Sequence, residues 1–597
     1  MFKSIIKNTD LSSLDFSGQL FPDVTDRAFW DAHYNTDIVS GAEKYLSYDW
    51  PIIKATDYME YKKTGNRSIM EDIHFARRRA LVCLALGELM EHKGRFLPQI
   101  TNGIYTICEE SYWGVSAHWY CNVIGNIQSP EYPYIDLFVG ETAENLAFIS
   151  VLLREPLLAF CPEIIDRVDY EMERRVFVPY LTHRDFWWMG YYKKVNNWNP
   201  WILSNVLSVF LLLEKNPLRM QKAVAKMLTE ITYYYDCMPN DGGCDEGPGY
   251  WIRAGASLFE FLYQLKVATG GALDLFADEK VRNIGSYIAK VYVGGGKVAN
   301  FGDGSQNLGS ISMIYAYGKE TNQTEMCALA GEAIHLGKGS SDIRLSVDTI
   351  CIRRALFDIA LYKDILAVEE PFAPEELQSL PDLQVATLRK NGWVLGAKGG
   401  NNAEFHNHND VGNFLLYDNG TPVLVDAGVG DYTRQTFGKE RYTIWTMQSC
   451  YHNLPTVNGI DQHDSWKFRA DAFSAEEGKV TVSFKSAYPE ESGLCDLTRT
   501  LVMDEEGLTL TDKFSFASGA GSVVEHLMTP YRPEIKDNTV LLDGKYEVVC
   551  DGGTISFEEI HFEDNRKLQS SWKNGVLYRI NVDCGARETV TFRVRRV

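Results

Sequence analysis

The spacing of apolar residues changes near residue 375, and this change constrains the fold of the 597-residue chain more than any other feature. Before it, apolar residues recur at the spacing of helices that pack on one face. The segments with this spacing are 79–93, 142–158 with a break near Glu155 and Pro156, 201–213, 256–268 and 281–293. Asn199 and Pro200 precede one segment, and glycines follow several others, as is typical of helix starts and ends. The first part therefore predicts an array of helical hairpins.

After residue 384 the chain contains short runs rich in β-branched and aromatic residues, separated by turn signals such as Asp543-Gly544. These runs are 384–390, 392–397, 479–485, 497–503, 508–514, 546–550, 576–582 and 589–594. They predict stacked antiparallel sheets. Prolines in 371–374 and 380–382 mark the junction. We therefore predict a multidomain α+β fold, with a helical domain at 1–375 and a β-sandwich-like antiparallel domain at 376–597.

Charge and composition exclude several classes of function. The net charge of −21 argues against nucleic acid as a partner, because no basic field attracts phosphates. The longest apolar run, 206–213, is too short to cross a bilayer, so no membrane association is expected. The first residues lack the apolar core of a signal peptide, and the 12 cysteines are scattered. We expect a cytoplasmic protein, or a periplasmic or secreted one if a signal has been removed. The oligomeric state is open, a dimer included.

The most informative motif is Glu-Phe-His-Asn-His-Asn-Asp at 404–410, in a chain with 12 histidines. Residues 413–425 alternate around Asn-Gly and predict a β-hairpin. If the motif is extended, His406 and His408 point to the same sheet face. Asp426 ends the hairpin and His452 follows, which gives a ligand set that suits zinc. The alternative is an ordinary pair of surface or core histidines.

A second polar and aromatic cluster lies in the helical part. Residues 195–201 read Val-Asn-Asn-Trp-Asn-Pro-Trp before a helix, and 241–251 form a Gly-rich acidic loop that leads into Tyr250 and Trp251. Aromatic faces stack on sugar rings, while amides and acids bind hydroxyls. The alternative is ordinary turn and capping chemistry, with tryptophans in the core.

The order of these motifs resembles that of the heparinase II/III-like polysaccharide lyases. The matching motifs are Asn-Asn-Trp at 196–198, Asp-Gly-Gly, Glu-Gly and Tyr within 241–250, His-Asn-His-Asn-Asp at 406–410, Asp-Ala-Gly at 426–428, Arg-Tyr at 441–442 and His-Asn at 452–453. The resemblance spans residues 187–459 by motif and the whole chain by architecture. It implies an α/α toroid followed by an antiparallel β-sheet domain.

The resemblance also implies roles for individual residues. Asn197 matches the asparagine that neutralises a uronate carboxylate, and Tyr250 and His406 match the catalytic tyrosine and histidine. Tyr442 matches a tyrosine near the site in alginate-degrading relatives. The metal ligands, usually for one structural zinc per chain with calcium as the alternative, are His408, Asp426 and His452.

Further residues are expected to contact the sugar. They are Trp198, Trp201, Glu246, Arg441, His118 and Trp113. Several relatives have a histidine directly after the asparagine, where this chain has Trp198. This departure favours a site that works with Asn, Tyr and His, in which the tryptophan stacks on a sugar.

These residue types suit a β-elimination across C4–C5 of a uronic acid. The carboxylate must be neutralised, which an amide and an imidazole can do, and a base and an acid must move one proton each. A tyrosine can fill both roles if nearby cations lower its pKa. We predict a lyase acting on an acidic polysaccharide or oligosaccharide, with a glycosaminoglycan as the first choice. The alternatives are a glycoside hydrolase that uses Asp241 and Glu246, and a non-catalytic sugar-binding protein.

Overall fold

The computed structural model describes residues 1–120, 125–336, 349–517 and 521–597. In these ranges the first part of the chain is helical and the second consists mainly of strands. The helices α1–α20 are Phe2–Asn8, Arg27–Ala32, Thr36–Glu43, Ala55–Thr64, Ser68–Glu91, Leu97–Cys108, Ser116–Tyr120, Leu137–Leu152, Arg154–Phe160, Glu163–Met172, Val178–Thr182, Trp198–Leu213, Pro217–Cys237, Pro248–Trp251, Gly255–Ala268, Glu279–Lys290, Ile311–Thr321, Thr324–His335, Ile352–Leu366 and Arg566–Ser571. The predicted succession of helices and then antiparallel strands is confirmed.

The strands follow the same chain order. Strands β1–β21 are Tyr292–Gly294, Lys297–Val298, Leu377–Leu380, Val385–Lys390, Trp393–Lys398, Asn401–Asn402, Phe414–Asp418, Thr421–Leu424, Pro455–Val457, Ser465–Arg469, Ala472–Glu476, Lys479–Ser483, Leu494–Met503, Gly507–Phe516, Val523–Thr529, Pro533–Lys536, Thr539–Leu542, Tyr546–Cys550, Thr554–His561, Val576–Gly585 and Thr589–Arg596. The three larger sheets have the orders β3-β4-β5-β7-β8, β19-β20-β15-β9 and β11-β12-β13-β14-β21-β18-β17-β16. Their pairings are antiparallel, as predicted.

The five-stranded sheet lies between the helices and the eight-stranded sheet. Along β7, Leu415 and Tyr417 belong to the core cluster of the helical part, whereas Phe414 and Leu416 belong to the cluster of the eight-stranded sheet. Successive strand residues point to opposite faces, so this alternation buries both sides of the sheet. The hairpin β7–β8 turns at Asn419, which has a φ of 47°. The helical part therefore packs directly against the second part.

The helix predicted over 281–293 ends earlier than expected. Helix α16 stops at Lys290, and Tyr292–Gly294 forms strand β1, which pairs with β2. The glycines that follow do not cap a helix; they let the turn approach Gly420, and the Lys297 ammonium donates to the Gly420 carbonyl at 3.0 Å. Contact with the second part thus overrides the local helical pattern.

None of the helices in the described ranges combines the length and the apolar composition needed to cross a membrane.

Candidate active site

The two polar motifs of the helical part form one unit. Asn197 precedes helix α12, and its backbone N–H donates to Glu246 Oε1 at 3.0 Å. The Asn197 side-chain Nδ2 donates to Glu246 Oε2 at 2.5 Å. Both residues are almost fully buried. Glu246 was predicted to contact the sugar. In the structure it fixes Asn197, the residue expected to neutralise the substrate carboxylate.

Glu246 also joins the helical part to the second part. Its Oε2 lies 3.4 Å from Nε2 of His406. Burial raises the pKa of the Glu246 carboxyl to about 7, although the nearby His406 opposes this shift. A carboxyl that titrates near neutral pH is thereby placed between the amide and the imidazole.

Tyr250 lies on the short helix α14, which follows a glycine turn. Gly247 has a φ of 90°, and a Cβ there would lie 2.1 Å from the Phe301 carbonyl oxygen, so this close approach requires glycine. The Tyr250 ring stacks on His406 with 4.2 Å between centroids. Its hydroxyl lies 2.6 Å from the hydroxyl of Tyr432. The expected pair of Tyr250 and His406 is thus brought together from the two parts of the chain.

The condition under which a tyrosine fills both roles, a pKa lowered by nearby cations, is not met by Tyr250 in this conformation. Burial raises the pKa of the phenol, and the negative charge of Asp303 raises it further. Without substrate, the hydroxyl therefore keeps its proton.

His406 and His408 do not lie on one face of a strand, which corrects our expectation. They belong to a loop between β6 and β7, and His406 adopts a φ of 54°. His406 stacks on Tyr250, whereas His408 is fully buried. The left-handed residue turns the chain between the two rings, so the i, i+2 spacing does not set their directions.

Both rings instead bind one carboxylate, that of Asp303. Its Oδ2 lies 2.8 Å from His406 Nδ1, and its Oδ1 lies 3.0 Å from His408 Nε2. Arg441 Nη2 donates to Oδ1 at 2.7 Å, and the Tyr432 hydroxyl donates to Oδ2 at 3.2 Å. Burial raises the pKa of Asp303, but these hydrogen bonds and the charge of Arg441 outweigh it and hold the pKa well below its usual value.

Sequence reasoning missed Asp303 and Tyr432. Asp303 lies in the sequence Phe-Gly-Asp-Gly at 301–304. An acid between two glycines is the sequence feature that could have marked it as a candidate site residue. Tyr432 lies in the loop after β8 and has no comparable mark.

His408, Asp426 and His452 form a buried cluster that could hold a metal ion. One ligand atom from each lies within 4.8 Å of the others. His452 Nδ1 lies 3.0 Å from Asp426 Oδ2, and Asn413 donates to the same oxygen at 2.8 Å. Among the described residues, His408 Nδ1 has no hydrogen-bond partner. Two imidazoles and a carboxylate, with a second carboxylate behind one imidazole, fit the usual surroundings of zinc.

Arg441 and Tyr442 brace the histidine loop. Arg441 donates to the Asn407 carbonyl through Nε at 3.2 Å and Nη2 at 2.9 Å. The Tyr442 hydroxyl donates to Asn407 Oδ1 at 2.9 Å. The tyrosine that contacts Tyr250 is Tyr432, so a direct part for Tyr442 in the chemistry stays a prediction.

An aromatic surface lies beside Asn197. The Trp198 ring is 4.6 Å from His118 and 5.1 Å from Trp187, and both tryptophans are partly exposed. The Lys193 ammonium lies 4.3 Å above Trp187. Trp201 is largely buried beneath Arg253, at 4.1 Å. Trp198 and His118 therefore have the exposure needed to meet a sugar, while Trp201 supports them.

Two predictions of site residues fail. Trp113 is fully buried and donates to the Ile107 carbonyl at 2.8 Å, so it is a core residue and not a sugar contact. Asp241 accepts backbone N–H groups from Gly243 at 2.9 Å and from Asp382 at 2.7 Å, and so fastens the junction between the domains. It is not available as one of a pair of hydrolytic carboxylates with Glu246.

A cavity of ≈ 290 Å³ lies at the junction of the two parts, next to Tyr250. Its walls include Tyr250 and Asp303 from the helical part and Val429 and Lys567 from the second part. The Lys567 ammonium lies 3.3 Å above the Tyr432 ring. The junction of the two parts thus combines a cavity, the Tyr250 hydroxyl and the Lys567 ammonium, as expected of a ligand site.

Comparison with known proteins agrees with the fold. Residues 373–571 match the family model of the heparinase II/III-like C-terminal domain. No curated protein sequence matches the chain. A solved structure of heparinase III is 13% identical, with 100% of this chain and 89% of that chain covered and a TM-score of 0.65.

Two further solved structures share the fold. For heparan sulfate lyase HepC from Pedobacter heparinus, the identity is 15%, the coverage 100% of this chain and 87% of that chain, and the TM-score 0.55. For the chondroitin AC lyase of Streptomyces coelicolor A3 in complex with chondroitin sulphate, the identity is 10%, the coverage 94% of this chain and 83% of that chain, and the TM-score 0.53. At these identities the likeness shows the fold.

The fold, an α/α toroid joined to antiparallel sheets, is shared with these solved structures. In this chain, polar groups of both parts meet at the junction. The predicted fold class is confirmed. Within this class, residues 373–571 match the heparinase II/III-like C-terminal domain, the family that the motifs resemble.

Proposed function

We propose that this protein is a polysaccharide lyase that cleaves a uronic-acid-containing polysaccharide or oligosaccharide by β-elimination. The observation that carries the proposal is a chain of contacts at the junction of the two domains. Asn197 bonds Glu246, Glu246 lies next to His406, and His406 stacks on Tyr250. Asn197 Nδ2 carries two hydrogens, of which Glu246 takes one, so one is left for a substrate carboxylate.

The proposed reaction breaks C5–H and C4–O4, forms the C4=C5 double bond and adds a proton to O4. Asn197 stabilises the charge that develops on the carboxylate, in a buried setting where such a contact is strong. Tyr250, protonated at rest, supplies the proton to the leaving O4. The His406 ring lies against Tyr250, so its imidazole is placed to take the C5 proton while Tyr250 protonates O4.

A glycosaminoglycan is the first choice of substrate. The structures that share this fold include a heparan sulfate lyase and a chondroitin AC lyase bound to chondroitin sulphate. Lys193 and Lys194 are exposed next to the aromatic surface and provide local positive charge on an acidic protein. Such a local field attracts an anionic chain despite the net charge.

The direct test is a screen of heparan sulfate, chondroitin sulfate, hyaluronan, alginate and other uronate polymers. Elimination gives an unsaturated uronate that absorbs ultraviolet light, and chain cleavage gives new reducing ends. We expect both signals to rise together on at least one polymer. New reducing ends without absorbance would identify a hydrolase, and binding without either signal would identify a sugar-binding protein.

We also propose that the cluster of His408, Asp426 and His452 holds one zinc ion per chain, with a structural role. Imidazole and carboxylate ligands suit zinc, whereas calcium prefers an all-oxygen shell. The ion would tie the loop of His408 to the segment after β8 and the loop before β9. Eliminating an alcohol adds no water, so the reaction needs no metal-activated hydroxide.

His408→Ala should lower the zinc content and the melting temperature together, since metal binding energy contributes to folding. Elemental analysis and calorimetry of protein prepared without chelators measure both. A matched control is His526→Ala, which removes a largely buried histidine of β15, distant in sequence from the cluster and bonded to Asn581 at 2.7 Å. This control should lower stability and keep the metal. Wild-type protein that binds no divalent ion, and whose melting temperature a chelator leaves unchanged, would refute the zinc site.

The raised pKa of Glu246 predicts a pH effect on substrate binding. The pKa is raised to about 7 in the fold, so the fold favours the neutral carboxyl, and this stabilisation is lost as the pH rises through 7. Ionised Glu246 would repel a carboxylate bound at Asn197. We therefore expect KM for a uronate substrate to rise above neutral pH, and Glu246→Gln to flatten that rise.

The control for this prediction is Glu230→Gln. Burial also raises the pKa of Glu230 to about 7, but its Oε2 binds the Tyr180 hydroxyl at 2.7 Å within the helical core. This variant should change the pH dependence of stability and leave the KM profile as it is. A Glu246→Gln variant with the wild-type KM profile would contradict the prediction.

A further inference from the structure

Asp303 belongs to the helical domain, whereas the four side chains bonded to its carboxylate all belong to the second domain. They are His406, His408, Tyr432 and Arg441, at 2.7 to 3.2 Å. The carboxylate is fully buried at the domain junction. One group therefore touches the expected catalytic histidine, an expected metal ligand and the tyrosine next to Tyr250.

The Asp303 loop is clamped between both halves of the site. Gly302 has a φ of 74°, and a Cβ there would lie 3.3 Å from the carbonyl oxygens of Glu246 and His406. A Cβ on Gly428 would lie 2.6 Å from the Gly304 carbonyl oxygen. The backbone around Asp303 thus has little freedom, and its carboxylate is fixed relative to its partners.

An ionised carboxylate only accepts hydrogen bonds, so each partner must present a hydrogen to it. His408 must therefore carry its hydrogen on Nε2, which leaves the lone pair of Nδ1 for the cluster with Asp426 and His452. The Tyr432 hydroxyl donates its single hydrogen to Asp303. In its 2.6 Å contact with the Tyr250 hydroxyl, Tyr432 must therefore be the acceptor and Tyr250 the donor. The donor and acceptor of each of these hydrogen bonds are thus set by the Asp303 carboxylate, which can only accept.

We propose that Asp303 is the positioning residue of the site. It fixes the ring of His406 against Tyr250, selects Nδ1 of His408 as the metal-binding atom, and orients the Tyr250 hydroxyl through Tyr432. The kinetic part of this inference rests on the proposed lyase function. The part that concerns the histidine rings and the metal does not.

Asp303→Asn tests the inference because it keeps the shape and replaces an acceptor oxygen by an NH2 group that faces donors. We expect zinc affinity, measured by competition with a chelator, to fall about 10- to 100-fold, as is typical when a carboxylate behind a metal-bound histidine is lost. In protein labelled with ¹⁵N-histidine, the imidazole nitrogen shifts of His406 and His408 should change. On an active substrate kcat should fall, with KM little changed.

The matched control is Asp410→Asn. Asp410 is a fully buried carboxylate of the loop that carries His406 and His408, but it pairs with Lys398 at 2.7 Å. This variant should lose comparable stability while keeping the histidine shifts and the zinc affinity. The inference is overturned if Asp303→Asn keeps wild-type histidine shifts and zinc affinity, or if Asp410→Asn changes both equally. If the wild type eliminates no polymer, the proposed function fails, and the spectra still decide the role of Asp303.

Discussion

Tyr250→Phe is expected to lower kcat by ~100-fold or more, since positioned proton transfer contributes about that much. The ring should keep its stacking on His406 at 4.2 Å, so substrate binding should change little. Only the hydroxyl is lost, which points to Tyr432 and which we propose supplies the proton. The rate of appearance of the unsaturated product measures kcat. Calorimetry with a substrate oligosaccharide measures the binding affinity.

Tyr317→Phe is the matched control for this experiment. Tyr317 is also a buried tyrosine of the helical domain, but its hydroxyl donates to the Val281 carbonyl at 2.8 Å, within the core. The control should cost some stability and keep turnover. Should Tyr250→Phe retain more than about a tenth of wild-type kcat, Tyr250 would not be the acid, because such a role is worth about 100-fold or more.

The architecture could be predicted from the sequence because helices, strands and turns depend on residues close together in the chain. The strand Tyr546–Cys550 has the predicted limits, and the turn at Asn419 falls where the Asn-Gly pair predicted it. Both depend on residues a few positions apart, where periodicity and turn chemistry act directly. Strand β1 was missed because its conformation depends on a contact with Gly420, more than a hundred residues away.

The candidate site was predicted only where motifs exist. His408, Asp426 and His452 were expected to cluster and do so. Asp303 was not predicted, since an acid between glycines gives no sign of which side chains it meets across a domain junction. Such a residue acts through distant partners, and single-sequence patterns carry no information about those distances.

The directions of the histidine rings show a further limit of pattern reasoning. The i, i+2 rule requires an extended backbone, and His406 has a φ of 54°. The left-handed residue lets one loop send His406 to Tyr250 and His408 into the core. Local strain of this kind is common at functional sites, because the surroundings can hold a conformation that the residue alone disfavours.

Asn197→Ala should slow elimination by ~100- to 1,000-fold if Asn197 stabilises the charge that develops on the substrate carboxylate, as removal of one such donor does elsewhere. Asn199→Ala is the control. It removes a buried amide from the same helix turn, one that donates to the Trp188 carbonyl at 2.9 Å. Comparing the two variants separates damage to the start of helix α12 from loss of the amide at Glu246.

A methyl-esterified substrate separates the chemical role of Asn197 from a role in shape. Its carboxylate is already neutral, so formation of the carbanion needs less help from the amide. The defect of Asn197→Ala should therefore be smaller on the ester than on the free acid, when kcat is compared with that of wild type on each substrate. Equal defects on both substrates would mean that Asn197 shapes the site through Glu246, to which it is bonded at 2.5 Å, and that another group neutralises the carboxylate.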